Sequence, residues 1–110
     1  MKTFGETIRE LREGEGLLLR EVAAKIQIDP SLLSRIETGR QRPTREQVVA
    51  LASVLHEERN KLLVQYLGER VVYELKDEED LAIEAITAAE KRIRYLSKTK
   101  ANAKGGAVKV

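Results

Sequence analysis

Residues 16–56 read GLLLREVAAKIQIDPSLLSRIETGRQRPTREQVVALASVLH, and the fold follows from how this stretch is punctuated. Leu19, Val22, Ala23 and Ile26 recur at i, i+3, i+4 and i+7, a single apolar stripe on a short helix reaching about Gln27. Asp29-Pro30 is the sharpest boundary in the chain. An aspartate side chain accepts hydrogen bonds from the open amides of a helix start, and proline suits the first helical position, where its missing N–H would have no partner. The helix that follows, near Pro30 to Thr38, turns Leu33 and Ile36 inward and stops at Gly39. After Pro43, the run Thr44-Arg45-Glu46-Gln47 has the form of a capping box. It opens a further helix with Val48, Leu51, Ala52 and Leu55 on its inner face.

Working outward, Thr3-Phe4-Gly5-Glu6 is a second capping box, with Phe4, Ile8 and Leu11 on one face and Gly14-Glu15-Gly16 as the stop. On the other side, a fifth helix begins near Glu57 or Glu58 and buries Leu62, Leu63, Tyr66 and Leu67. Five short helices with brief connections make an all-α bundle over residues 1–67. Gly68 to Leu75 either extends the fifth helix or forms a short strand, since Val71-Val72-Tyr73 has β preference; helix is the favoured reading. Asp77 to Asp80, four consecutive acids, suits the positive end of a helix start. The helix behind it runs to about Leu96. Its Ala82, Ile86, Ala89, Ile93 and Leu96 are spaced 4, 3, 4, 3, a short coiled-coil seam. Residues 68–97 therefore read as a helical extension that pairs two copies in a homodimer, in preference to folding back on the bundle. Residues 98–110 read as a flexible basic tail.

Composition narrows the function. The chain is 110 residues long, 42% hydrophobic and 35% charged, with one Phe, three Tyr and no Trp, so its core is aliphatic. The net charge of +2 says little, but its distribution says more. Arg35, Arg40, Arg42 and Arg45 face a single acid, Glu37, within eleven residues, and Lys98, Lys100, Lys104 and Lys109 close the chain without an acid. A basic loop on a nearly neutral protein points to a directed contact with an anion. The absence of cysteine excludes disulfides and thiolate metal sites. No signal peptide and no apolar run near 18 residues is present, so the expectation is a cytoplasmic protein away from membranes.

Residues 16–56 resemble the lambda-repressor-like (Xre/Cro) helix-turn-helix family. The matching elements are Gly16-Leu17, Glu21-Val22-Ala23, Leu33-Ser34-Arg35-Ile36-Glu37-Thr38-Gly39 and Arg40-Gln41-Arg42-Pro43-Thr44, followed by Leu51-Ala52 and Leu55. The resemblance implies a regulator that binds double-stranded DNA, with a recognition helix at Pro30 to Ile36. By that resemblance Pro30, Ser31, Leu32, Ser34 and Arg35 reach base edges, and Arg35 is suited to bidentate contact with guanine. Arg40, Gln41, Arg42 and Thr44 fall where the family meets the DNA backbone. Arg12 and Glu37 take the place of the family's structural ion pair. In one respect the chain departs from the pattern: where the family opens its second helix with Ser-Gln, this chain has Leu18 and Leu19.

Other chemistry lacks its residues. There is no nucleophile–base set, metal cluster or cofactor loop, so no enzyme, no cofactor and no metal are expected. His56 reads as a capping or surface residue. Aromatic platforms for unstacked bases are missing, which disfavours single-stranded RNA. The alternative to direct base readout is a protein-interaction adaptor on the same module, for which the Leu18/Leu19 departure leaves room; a toxin-like protein partner is compatible with either.

Overall fold

A computed structural model describes residues 1–109 of the chain, with side chains described for residues 1–101. Six helices follow one another: α1 (Phe4–Gly14), α2 (Leu19–Lys25), α3 (Pro30–Glu37), α4 (Arg45–Val54), α5 (Arg59–Glu74) and α6 (Glu79–Lys109). No strand occurs among the described residues, and the architecture is all-α. Two compact units emerge, Met1–Tyr73 and Glu74–Val110.

The starts of the helices are chemically defined. Thr3 and Thr44 each accept from the amide three residues on, and Glu6 and Gln47 return the bond to the Thr3 and Thr44 amides. Asp29 accepts from the Ser31 amide at 2.8 Å, with Pro30 first in the helix behind it. α2 is the exception: Leu18 has no polar side chain to offer, and only the Glu21 carboxylate, accepting from the Leu18 amide at 2.7 Å, serves its start. Glu58 caps α5 through its carboxylate, which accepts from the amides of Asn60 and Lys61. Gly16 and Gly39 end α1 and α3 at φ 69° and 78°, the left-handed region that glycine enters without a Cβ clash.

All five helices of the first unit contribute to one core. Phe4 and Ile8, Val22 and Ala23, Leu33 and Ile36, Val48, Leu51, Ala52 and Leu55, and Leu62, Leu63 and Tyr66 are buried together. Phe4 and Tyr66 meet edge to face at 6.1 Å between centroids, a geometry that sets ring edge against ring face. α1 rests directly on α3 because Gly5 has no side chain. A Cβ there would lie 2.4 Å from the Glu37 carbonyl oxygen and 2.5 Å from that of Ile36.

Several expectations change. Leu67, expected in the core, is exposed, because the buried face of α5 ends with Tyr66. Leu11 packs only partly against the core. Residues 68–74, by contrast, continue α5 as the favoured reading has it; neighbours decide short apolar runs, and no second strand exists for them to pair with among the described residues. The first compact unit takes in these residues as far as Tyr73. The last helix does not end near Leu96 but continues to Lys109, through a segment without the proline that would stop it. Lys104 and Lys109, part of the expected basic tail, have side chains outside the described residues.

Candidate nucleic-acid interface

α3 is held from behind and open in front. Leu33 and Ile36 are fully buried, and Glu37 is the buried charged residue of the core. Arg12 reaches it from α1. The Arg12 Nε donates to one Glu37 carboxylate oxygen at 2.7 Å and Nη2 to the other at 3.0 Å, while Nη1 donates to the Leu17 carbonyl at 2.9 Å. The paired hydrogen bonds that Arg12 donates to Glu37 outweigh burial and raise the arginine's pKa above its ordinary value. This bidentate clamp fixes the last turn of α3 on α1 and on the turn that leads into α2.

The opposite edge of α3 carries the polar candidates. Pro30 and Ser31 are exposed, Ser34 and Arg35 half-exposed. The Ser31 hydroxyl donates to Asp29 at 2.6 Å, and the hydroxyl and amide of Ser31 together hold the Asp29 carboxyl below its usual range. Arg35 is the hub of the edge. Its Nε donates to the Gln41 side-chain oxygen at 3.2 Å, its Nη1 to the Ser31 hydroxyl at 3.4 Å, and its carbonyl accepts from the amides of Arg40 and Gln41. Two of the expected base readers and one backbone residue thus form one connected network. Leu32 is placed differently: it is half-buried against the core, one turn before the buried Ile36 on the same helix.

The loop from Gly39 to Thr44 extends this edge. Arg40, Gln41 and Arg42 are exposed, and Pro43 is buried and pins the loop to the bundle. Arg40 Nε donates to the Thr38 hydroxyl at 3.2 Å. Thr44 is exposed; its hydroxyl accepts from the Gln47 amide at 3.1 Å and its amide donates to the Gln47 side-chain oxygen at 2.9 Å. Arg42 lies over the ring of Tyr73, its guanidinium carbon 4.3 Å from the ring centroid.

Of the two leucines that replace Ser-Gln, Leu19 packs against the core and Leu18 is exposed. His56 takes φ 55° after α4 and sits 3.2 Å from a Glu15 carboxylate oxygen, a helix-end surface residue. On α6, Ile86, Ala89, Ile93 and Leu96 are exposed and Ala82 half-exposed. Among the described residues, no cluster of three or more His, Cys, Asp or Glu is placed to hold a metal ion, and no helix is long and apolar enough to cross a membrane. Sequence reading missed Gly5, Tyr73 and Glu69, whose carboxylate accepts from the Phe4 amide at 2.6 Å. Gly5 and Glu69 act across sequence separations that no local pattern records.

The tight α2–α3 turn, the clamped rear face of α3 and its open polar edge define a helix-turn-helix protein. The profile of the helix-turn-helix domain matches residues 3–62, more than half of the chain, and the chain belongs to that family. A helix-turn-helix type transcriptional regulator, DdrOP3 of Deinococcus deserti, is 44% identical over 48 residues. That match covers 44% of this chain and 37% of the regulator's length. Among solved structures, the clp gene regulator ClgR of Corynebacterium glutamicum is similar with a TM-score of 0.53 at 23% identity, over 86% of this chain and 88% of that one. The SinR protein/SinI protein complex is similar with a TM-score of 0.53 at 23% identity, over 93% of this chain and 99% of the matched chain. At that identity both likenesses speak for the fold.

Proposed function

We propose that this chain is a transcriptional regulator, not an enzyme, that binds double-stranded DNA as a homodimer and reads a palindromic operator. The observation that carries the reading is the Ser31–Arg35–Gln41 network, which joins the exposed edge of α3 to the basic loop in one surface. Pro30, Ser31, Ser34 and Arg35 face base edges in the major groove, with Leu32 reaching a thymine methyl from its half-buried position. Arg40, Gln41 and Arg42 hold phosphates, with Thr44 at the helix start beside them. Arg35 exchanges its bonds to Ser31 and Gln41 for guanine, a bidentate contact worth ~1–3 kcal/mol of discrimination. Pro30 offers apolar contact alone, so DNA shape supplies part of the specificity.

A single module reads few base pairs, and a two-fold pair of modules supplies the rest. The exposed Ile86, Ile93 and Leu96, with Ala82 and Ala89, form the face on which two copies pair, and the recognition helices then lie ~34 Å apart. The protein acts in the cytoplasm, as a repressor or in an antitoxin or restriction–modification control role.

Gel shifts with duplex and single-stranded probes test the first part. Duplex-selective retention that falls steeply with salt is expected, and Arg40→Ala with Arg42→Ala weakens selected and mixed-sequence duplexes alike. Equal retention of both probes, or an unaffected double variant, defeats the reading. Sedimentation of Ile86→Asp with Ile93→Asp tests the second; a variant that stays dimeric moves the pairing surface elsewhere.

The exposed Leu18 favours one second reading, in which the same module docks a protein partner through the start of α2. Leu18→Ser that loses such a partner while keeping duplex affinity would support it.

A further inference from the structure

Three residues of the basic loop are held in two different ways. Arg40 and Gln41 are tied back to α3, through Thr38 and Arg35. Arg42 is instead stacked on Tyr73, the last residue of the first unit, at the far end of α5. We propose that Tyr73 is a positioning residue that holds the Arg42 guanidinium for a DNA phosphate; this rests on the DNA-binding reading above.

The chemistry of the pair supports it. A guanidinium packed on a ring uses its flat face, while its N–H donors lie in its own plane and point outward around the edge. Stacking therefore fixes the cation without consuming the donors that grip a phosphate. An unstacked arginine on an exposed loop loses much of its rotamer freedom on binding; a stacked one has lost it already. The backbone on either side is also constrained, by Gly39 at φ 78° and by buried Pro43, so the ring settles the remaining freedom of the Arg42 side chain. Tyr73 is 52% exposed and lies outside the core cluster, so its ring packs at the surface, where Arg42 reaches it. The pair borders a cavity of about 420 Å³ that Phe4, Pro43, Tyr66 and Glu69 also line. Arg70 lies over Tyr66 there at 5.9 Å, a looser approach than the 4.3 Å of Arg42 over Tyr73.

Two measurements on the full chain test the proposal. In the free protein, the Arg42 Nε–Hε resonance is displaced by the ring current in the parent and in Tyr73→Phe, and returns to a solvent-like position in Tyr73→Leu. On a mixed-sequence duplex at low salt, Tyr73→Leu weakens binding about two- to fivefold, the range of an exposed cation–π contact. Tyr73→Phe binds as the parent does, and Arg42→Lys, which keeps the charge but loses the flat face, falls by the same factor as Tyr73→Leu. Arg42→Ala lowers the salt slope by about 1 per protomer, and in that background Tyr73→Leu has no further effect. A general loosening of the fold would instead weaken binding equally with or without Arg42. Parental affinity in Tyr73→Leu and Arg42→Lys, or no ring-current displacement in the parent, overturns the proposal while leaving the DNA-binding reading intact. A parent that does not bind duplex at all overturns both.

Discussion

Two arginine–carboxylate pairs, one in the bundle and one on α6, show how differently the halves of this molecule are held. Arg12 and Glu37 approach to 2.7 Å with side chains 11% and 6% exposed, and they join helices far apart in sequence. Arg94 and Glu90 approach to 2.8 Å, but at 77% and 57% exposed and one turn apart on the same helix. Distance alone would rate them equal. Water separates them, since the screened pair competes with solvent and the buried pair has been withdrawn from it. The same division holds for apolar residues. Each helix of the first unit sends apolar residues into a core, whereas Leu81, Ile83, Ile86, Ile93, Tyr95 and Leu96 of α6 are exposed.

The largest break in this contrast comes from Arg12→Ala. It leaves Glu37 buried without its cation and is expected to cost about 3–5 kcal/mol, read as a lower melting temperature and an earlier denaturant midpoint. A midpoint equal to the parent's would place the pair in the surface class.

Glycine substitutions come next and have opposite signs within the first unit. Gly5→Ala drives a methyl into the α3 backbone, where neither carbonyl can swing away as a side chain could. A loss of about 1–3 kcal/mol is expected from this overpacking. Gly68→Ala, within α5, meets nothing within 4 Å and is expected to gain about 0.5–1 kcal/mol from helix propensity. Equal effects in chemical denaturation would refute the close approach of α1 to α3.

The caps of the bundle give a pH-dependent test. Ser31 lowers the Asp29 pKa through its hydroxyl and then its amide, and Thr3 lowers that of Glu6 through its amide and then its hydroxyl. A carboxyl depressed in the folded state stabilises fully above its unfolded value and loses that contribution as pH falls through the folded one. The gap in melting temperature between the parent and Asp29→Ala is therefore expected to be constant near neutrality and to close below about pH 4. A gap unchanged in acid would assign the cap another source.

The smallest effect belongs to α6. Arg94→Ala is expected to change stability by no more than about 0.5 kcal/mol, as exposed i, i+4 pairs do. A loss approaching that of Arg12→Ala would show that α6 is buried against something when the protein is assembled.

Much of the bundle was legible because its signals are local. Thr3 with Glu6, Thr44 with Gln47, and Asp29-Pro30 each announce a helix start within a few residues. The 3.6-residue period then assigns Ile8, Val22, Ala23, Leu33, Ile36, Val48 and Leu51 to the inside. Arg35 and the loop after Gly39 were readable as candidates for contact with an anion because charge concentrates there. The turns at Gln27 and His56 were not readable: both take positive φ, at 60° and 55°, where no glycine or asparagine marks the place. Surrounding helices impose that conformation on residues that do not favour it.

By itself, then, the sequence determined where helices begin and which face of each is apolar, since caps and periodicity act over one or two turns of chain. Only the tertiary structure decided that Leu67 stays in solvent, that Gly5 lets α1 touch α3, that Glu69 reaches the Phe4 amide, and that Tyr73 lies under Arg42. Each depends on which helices come to lie side by side, and the energy of such contacts falls off within a few ångströms in space, whatever the number of residues between them.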